Sequence, residues 1–420
     1  MVIKAIRGMN DILPGEIARW RDLEQTSREV FELYGYSEIR TPVLEEAALF
    51  IRGIGKTTDI VSKQMYSFSD SKGRKLTLRP EETAPVLRAY LEHNLDKKQG
   101  FSKFYYIGPM FRSERPQSGR SRQFHQIGLE AIGSSSPYLD CEIISALIEV
   151  FKRLKLEGYI LKLSSVGCGK CRPGFEKVLK NSLSGDVNLL CPDCQRRFGT
   201  NIFRILDCKN SNCRAVIRKA PVILDYLCKD CAEHFEKVKQ GLKLLQINYK
   251  FDSHLVRGLD YYTKTTFEIE QSLLGSQNAI AAGGRYDDLS QELGGPQIRA
   301  CGMSIGMERV LLALKGRDRK SPLPKKSVYL ATVGQKAYDE GYRMLQKLRS
   351  RGVKTEIDYQ ARSLKAQLRS AGKLDCGYVV IIGEDELSRN KVILRDMKNG
   401  KQSEVKITQI INKVKELLND

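Results

Sequence analysis

Residues 111–130 read FRSERPQSGRSRQFHQIGLE. Four arginines, Arg112, Arg115, Arg120 and Arg122, fall within eleven residues, and Pro116 and Gly119 punctuate them, so this part predicts a loop. Phe104, Tyr105, Tyr106 and Ile107 ahead of it, and Phe124, Ile127 and Leu129 behind it, predict a strand on either side. Alternation in the second strand places Phe124, Gln126, Gly128 and Glu130 on one face. Gly128 leaves room there for something to lie on the sheet. In the first strand Arg112 and Glu114 share a face. Guanidinium groups match phosphate oxygens through a planar fork. A buried Glu130 needs a cationic or N–H partner, because an unpaired carboxylate is costly there. The pattern points to a polyphosphate held beside a small polar molecule, although a solvated basic hairpin would fit the same residues.

A chain of 420 residues is long enough for several domains and a substantial core. Its 41% hydrophobic and 29% charged content belong to the water-soluble globular class. No run approaches the ~18 apolar residues of a membrane span. The opening MVIKAIRGMNDILPG has no apolar secretion segment, so a cytoplasmic protein is expected. The net charge of +20 favours a polyanionic partner such as nucleic acid; a heat-adapted lysine-rich surface is the other account.

Of eleven cysteines, eight lie between 168 and 231. Cys168/Cys171, Cys191/Cys194 and Cys228/Cys231 are C-x-x-C pairs, and Cys208/Cys213 is C-x4-C. Without a secretion signal this spacing argues for metal rather than disulfides. Taken in chain order, the pairs predict two zinc ribbons, Cys168/Cys171 with Cys191/Cys194 and Cys208/Cys213 with Cys228/Cys231. His234 is an alternative ligand, and reduced cysteines in a small helical insert are the alternative structure. Four-thiolate zinc sites are closed, so any zinc here would be structural.

Elsewhere, Trp20, Leu23, Val30, Phe31 and Leu33 recur at helical spacing, and residues 37–43 predict a strand ending at Thr41-Pro42. KLTLRPEET (75–83) predicts a strand stopping at Pro80, with Glu81 and Thr83 just past its end and a helix over 85–91. Glu82 and Thr83 could equally just start that helix. A helix and a strand are expected over 137–163. Residues 246–310 predict returning strands, through LVRGLDYY (255–262), TTFEIE (265–270), AAGGRYDDL (281–289) and ACGMSIGMERVLLAL (300–314). Gly283-Gly284 suits either a close approach to a ligand or a hairpin turn. RDRKSPLPKK (317–326) is the expected linker. Beyond it, strands over 328–333, 353–357, 378–382 and 391–395 alternate with helices over 337–348, 363–371 and 407–418, predicting an α/β domain with a mixed sheet.

GPMFRSERPQ (108–117) and GRSRQFHQIGLE (119–130) resemble motif 2 of class II aminoacyl-tRNA synthetases, in the form carried by the histidyl-tRNA synthetase family. LVRGLDYY and Gly283–Asp287 resemble signature segments of that family. The first helix, strand and Pro42 resemble motif 1, a dimer-interface element. Gly306-Met307-Glu308-Arg309 resembles motif 3, whose arginine contacts ATP phosphates. The resemblance implies a multidomain α+β fold. A class II antiparallel sheet flanked by helices would occupy 1–320, interrupted by a cysteine-rich insertion (167–245), mainly helical or zinc-ribbon. A C-terminal α/β mixed-sheet anticodon-binding domain would follow over 327–420. It also implies histidine activation by ATP, transfer to the 3′ end of histidine tRNA, and a homodimer. Arg112, Arg120 and Arg309 would bind ATP, with Mg²⁺ sharing the phosphate charge. Arg257 would neutralise the α-phosphate. Glu81, Thr83 and Gln126 would hold the α-amino group, Glu130 and Tyr262 would read the imidazole, and Tyr261 would line the same pocket. Arg115, Gln117 and Arg122 would approach the tRNA acceptor end.

Two other readings compete. A catalytically inactive paralogue, the regulatory subunit of ATP phosphoribosyltransferase, would need neither an intact Arg257 segment nor the C-terminal domain. A nucleic-acid-binding module built on zinc ribbons would leave the arginine loop, Glu130 and Arg309 without purpose.

Overall fold

The computed structural model describes residues 2–314 and 327–419; the expected linker at 317–326 lies outside the described residues. The chain divides into two compact units, residues 1–316 and 317–420. The first is organised by an eight-stranded sheet. From one edge its strands run Ser37–Glu38, Ser102–Phe111, Gln123–Ile132, Ala300–Gly306, Ala279–Arg285, Thr263–Gln271, Tyr159–Ser165 and Lys250–Phe251. The six inner strands pair antiparallel, and the two short edge strands pair parallel to their neighbours.

The expected alternation holds in the Gln123–Ile132 strand. Ile127 and Leu129 are buried in a core with Leu23, Val30 and Phe31 of helix Pro14–Leu33 and Ile143, Ile144, Leu147 and Phe151 of helix Pro137–Arg153. In the first helix Leu23, Ser27, Val30 and Phe31 are buried at i, i+4, i+7 and i+8, an apolar stripe of helical period. Gln126, Gly128 and Glu130 therefore face the other way, where the sheet is polar.

A three-stranded sheet (Leu44–Glu46, Lys75–Leu78, Tyr66–Ser69, in spatial order) carries the chain toward that polar face. Buried Arg79 ends its middle strand. Its Nη1 donates to the Thr41 carbonyl (2.9 Å) and pairs with Glu82 (2.9 Å), and its Nε donates to the Pro109 carbonyl (3.0 Å). These bonds fix the 80–83 turn over the large sheet.

Three expectations change. The strand at 37–43 is only Ser37–Glu38, because the chain is already bending toward Pro42. LVRGLDYY is irregular backbone rather than strand: its glycine and aspartate leave no alternating apolar face to pair. Gly283 and Gly284 lie within the Ala279–Arg285 strand, opposite Met303 and Gly302, not at a hairpin turn.

Between Tyr159–Ser165 and Lys250–Phe251 the insert is helical: Arg172–Leu183, Pro192–Thr200, Ser211–Ile217 and Lys229–Leu244, joined by 3-10 turns. No strand forms over 167–245, all of it described, so the ribbon form of the insert does not occur. Its small core holds Phe175, Leu179, Leu183, Ile202, Ile205 and Ile217.

The second unit is a five-stranded mixed sheet, ordered Thr355–Ile357, Val328–Val333, Tyr378–Gly383, Lys391–Asp396, Gln402–Lys406. The first three strands are parallel and the last two antiparallel. Helices Gln335–Ser350, Leu364–Lys373 and Ile410–Asn419 complete it, with apolar clusters around Leu345 and around Val379. The Gln402–Lys406 strand escapes a sequence reading because QSEVK is an exposed edge without apolar alternation. No described helix in either unit is long and apolar enough to cross a membrane.

Candidate active site

The polar face of the large sheet floors a cavity of about 190 Å³. Register explains how its floor is built. Gly128 lies between Tyr106 and Ser304, and Glu130 between Phe104 and Gly302. A Cβ on Gly128 would collide with the Tyr106 ring, so the space this glycine leaves is filled by Tyr106. A Cβ on Gly302 would likewise strike the Glu130 carboxylate.

Glu130 is 1% exposed. Its partners are hydroxyls: Thr83 Oγ1 donates to one oxygen (2.7 Å) and the Tyr286 phenol to the other. This corrects the expectation of a cationic or N–H donor. Burial pushes the Glu130 carboxyl well above the usual range, while the two hydroxyls pull it down. Tyr262 lines the cavity beside Tyr261, with ring centroids 4.8 Å apart, but Tyr286 is the phenol on Glu130. Tyr286 stood in the Gly283–Asp287 segment without a role. The signal that it reaches Glu130 is strand order, which no local pattern carries.

Glu81 sits at the start of helix Thr83–Glu92. Its carboxylate accepts the backbone N–H groups of Thr83 (2.8 Å) and Ala84 (3.0 Å), and the Tyr261 hydroxyl lies 3.4 Å away. It thus caps the helix and lines the cavity at once. Burial raises its pKa despite these donors. Glu82 is turned away, accepting from Thr41 Oγ1 (2.7 Å) and pairing with Arg79.

Four arginines line the same cavity: Arg112, Arg120, Arg257 and Arg309. Arg112 Nε donates to the Pro80 carbonyl (2.9 Å), and its guanidinium lies 5.0 Å over the Phe124 ring. Arg309 donates to the carbonyls of Gly119 (2.9 Å) and Ala279 (2.6 Å). Burial lowers the pKa of Arg112; burial, then the nearby Arg120 charge, brings Arg309 down to about 10. A desolvated cation beside another cation is a receptor for anions. Arg120 pairs with Glu114 (3.2 Å). Arg257 pairs with Glu268; burial pulls the arginine pKa down, but Glu268 together with Tyr262 and Asp207 raises it on balance. Gln126 lines the wall, its amide 3.4 Å from Ser304 Oγ.

Nine of the residues read from sequence therefore meet in one cavity: Glu81, Thr83, Arg112, Arg120, Gln126, Arg257, Tyr261, Tyr262 and Arg309, with Glu130 beneath them. Tyr106, Tyr286 and Glu308, which also line it, were not foreseen, nor was Glu268, the partner of Arg257. Arg115, Gln117 and Arg122 do not line it. Arg115 and Gln117 are exposed on the loop, and half-buried Arg122 donates its Nε to the Glu114 carbonyl (3.3 Å). Glu114 and Glu308 also bring carboxylates to the cavity: Glu114 pairs with Arg120, Glu308 accepts the His125 backbone N–H (2.9 and 3.1 Å), and oxygen donors of this kind suit a hard divalent cation.

The cysteines also assemble, but not in chain order. Cys168, Cys171, Cys228 and Cys231 form one quartet and Cys191, Cys194, Cys208 and Cys213 another, so the second is nested inside the first. The insert's two ends come together because both join neighbouring parts of the large sheet. His234 is no substitute ligand: its Nε2 lies 2.7 Å from buried Asp140.

The model of the family described as histidyl-tRNA synthetase matches residues 8–170 and 204–310, and one described as an anticodon binding domain matches 327–417. The histidine–tRNA ligase of Syntrophotalea carbinolica is 47% identical over 98% of this chain and 97% of its own length. That of Halothermothrix orenii is 47% identical, covering both chains completely. The crystal structure of apo S. aureus histidyl-tRNA synthetase superposes with a TM-score of 0.82 at 33% identity, over 98% of this chain and 99% of that one. The carboxylate floor and arginine wall thus lie in a chain that aligns with such relatives from end to end, and the protein belongs to the histidyl-tRNA synthetase family.

Proposed function

We propose that the chain is a histidine–tRNA ligase: it activates L-histidine with ATP and transfers it to the 3′-terminal adenosine of histidine tRNA. The observation that carries this is Glu130, a buried carboxylate beneath a wall of four arginines. Its two hydroxyl donors leave lone pairs free for an imidazole N–H. Tyr262 serves the other ring nitrogen. Glu81, Thr83 and Gln126 hold the α-amino group, with Tyr261 closing the pocket. Arg112, Arg120 and Arg309 bind the ATP phosphates.

A carboxylate oxygen of histidine attacks the α-phosphorus in line, the bond to the β-phosphate breaks, and pyrophosphate leaves. Arg257 meets the charge developing on the α-phosphate, after exchanging Glu268 for that oxygen. An arginine supplies no base, so this is positioning and electrostatics. Glu114 and Glu308 would hold the Mg²⁺ that accompanies ATP, and the ion would neutralise phosphate charge there. An adenosine hydroxyl of the tRNA then attacks the histidyl carbonyl and AMP departs. Arg115 and Gln117, exposed on the loop, meet the acceptor end, while Arg122 braces that loop. Residues 1–320, with the 167–245 insertion, are the catalytic domain, and 327–420 read the anticodon. The enzyme works in the cytoplasm as a homodimer. The insert's cysteines suit structural Zn²⁺, because four protein thiolates leave no open coordination position. The regulatory-subunit alternative loses ground to full-length relatives named histidine–tRNA ligase.

Amino-acid-dependent ATP–pyrophosphate exchange, run with each of the twenty amino acids, tests the reading. Exchange with histidine alone is expected. No exchange from folded protein would overturn the roles of Arg112, Arg257 and Arg309.

A further inference from the structure

The eight insert cysteines are the largest set of metal-ligating side chains that the pocket leaves unused. Within each quartet all four sulfurs lie within 4.8 Å of one another. Cys168 and Cys171 sulfurs are 3.7 Å apart, Cys168 and Cys228 3.8 Å, and Cys191 and Cys208 3.8 Å. Four sulfurs about 2.3 Å from one ion stand about 3.8 Å apart along a tetrahedron's edges. A disulfide would draw two of them to about 2.05 Å. A backbone amide addresses sulfur in each quartet: Cys191 N–H to Cys213 Sγ (3.2 Å) and Cys228 N–H to Cys171 Sγ (3.1 Å). Such second contacts orient and stabilise thiolate ligands. Helices Arg172–Leu183, Pro192–Thr200 and Lys229–Leu244 each begin immediately after a cysteine, which puts the positive helix end beside a sulfur.

The nested quartet also borders the segment that grips the cavity wall. Cys194 and Cys208 bracket Arg197, Asn201 and Arg204. Arg197 and Arg204 both pair with Asp59, at 2.8 and 3.3 Å. Asn201 donates to Asp260 (3.3 Å), and Arg204 Nη1 donates to the backbone carbonyl of Arg257 (3.1 Å). The irregular 255–262 segment has no strand partner; from the insert side it is held by the Asn201 and Arg204 bonds and by Arg172, which donates to the backbone carbonyls of Asp260 (3.5 Å) and Tyr262.

We propose that each quartet binds one Zn²⁺ through four thiolates. The nested ion pins both ends of segment 194–208, and so holds Arg204 on the Arg257 carbonyl. Arg204 is then a positioning residue for Arg257. This coupling rests on the role given above to Arg257; the metal sites themselves do not.

The test begins with zinc counted by plasma mass spectrometry on the full-length protein. Two ions per chain are expected, and one after either Cys194→Ser/Cys208→Ser or Cys168→Ser/Cys231→Ser. Co²⁺ in place of zinc should show the charge-transfer and d–d bands of a tetrahedral four-thiolate site. Folded protein prepared with zinc that carries none, or lacks those bands with Co²⁺, would overturn the sites. For the coupling, Arg204→Ala should lower the kcat of histidine-dependent exchange about ten- to hundred-fold with little change in the histidine KM. Arg204→Lys should restore part of the rate, and both variants should keep two zinc ions. An unchanged kcat in Arg204→Ala would overturn the positioning role. Wild-type protein with two zinc ions and no exchange would overturn the proposed function while supporting the metal sites.

Discussion

On the pocket floor, Glu130 is enclosed by Thr83 and Tyr286, each brought from a different element of the large sheet's surroundings. In the insert, eight cysteines gather into two quartets of sulfurs. The first arrangement stands on a broad core that spans the helices and strands of the unit. The second stands on a small cluster around Phe175, Leu179 and Ile205. A large core can hold polar groups in place while they wait for a substrate. A small one buries too little apolar area to do so, and cross-links by metal are the usual remedy.

The comparison can be broken most forcefully at the arginine wall. Arg257→Ala should lower the activation rate about 10²- to 10³-fold, as removal of a transition-state charge partner does. Histidine binding should hardly change, and equal loss of rate and binding would remove Arg257 from the transition state. Glu130→Gln should raise the histidine KM about ten- to hundred-fold, because an amide N–H then faces donors in a buried site. Steady-state exchange with histidine and ring analogues checks this, and unchanged discrimination would assign the ring to another group.

On the other side of the comparison, a strong chelator under reducing conditions should open the insert alone. Limited proteolysis should then show new cuts within 167–245 while the eight-stranded sheet survives. An uncut insert would mean its small core suffices without metal. Tyr286→Phe removes one of two donors to Glu130 and should raise the histidine KM by about five-fold, the worth of about one hydrogen bond.

The smallest effect concerns Glu82. Burial pushes its carboxyl up to about 7 from the ordinary 4.5, against the pull of Arg79. The folded chain then holds a proton that the unfolded chain releases, so this stabilising contribution is full below the ordinary value and is lost as pH rises through about 7. Glu82→Gln should remove that pH dependence. Its melting temperature relative to wild type should improve between about pH 5 and about pH 7.5. A constant difference would show that Glu82 ionises normally beside Arg79.

The sequence by itself determined what is local. Period-2 alternation set Gln126, Gly128 and Glu130 on one face, and Pro116 with Gly119 broke the strand into an arginine loop. Cysteine spacing marked an insert able to bind metal, and resemblance named the residues that gather in the cavity. Only the tertiary structure decided which distant residues meet. Tyr286 reaches Glu130 across 156 residues of chain because the Ala300–Gly306 strand lies between their strands. Arg204 reaches the Arg257 carbonyl across 53 residues because the insert folds back on the 255–262 segment. The quartets nest because the insert's ends return to adjoining parts of one sheet. Spacing encodes turns and faces, which are short-range geometry. Partnership across the fold follows from strand order and chain closure, which no single segment contains.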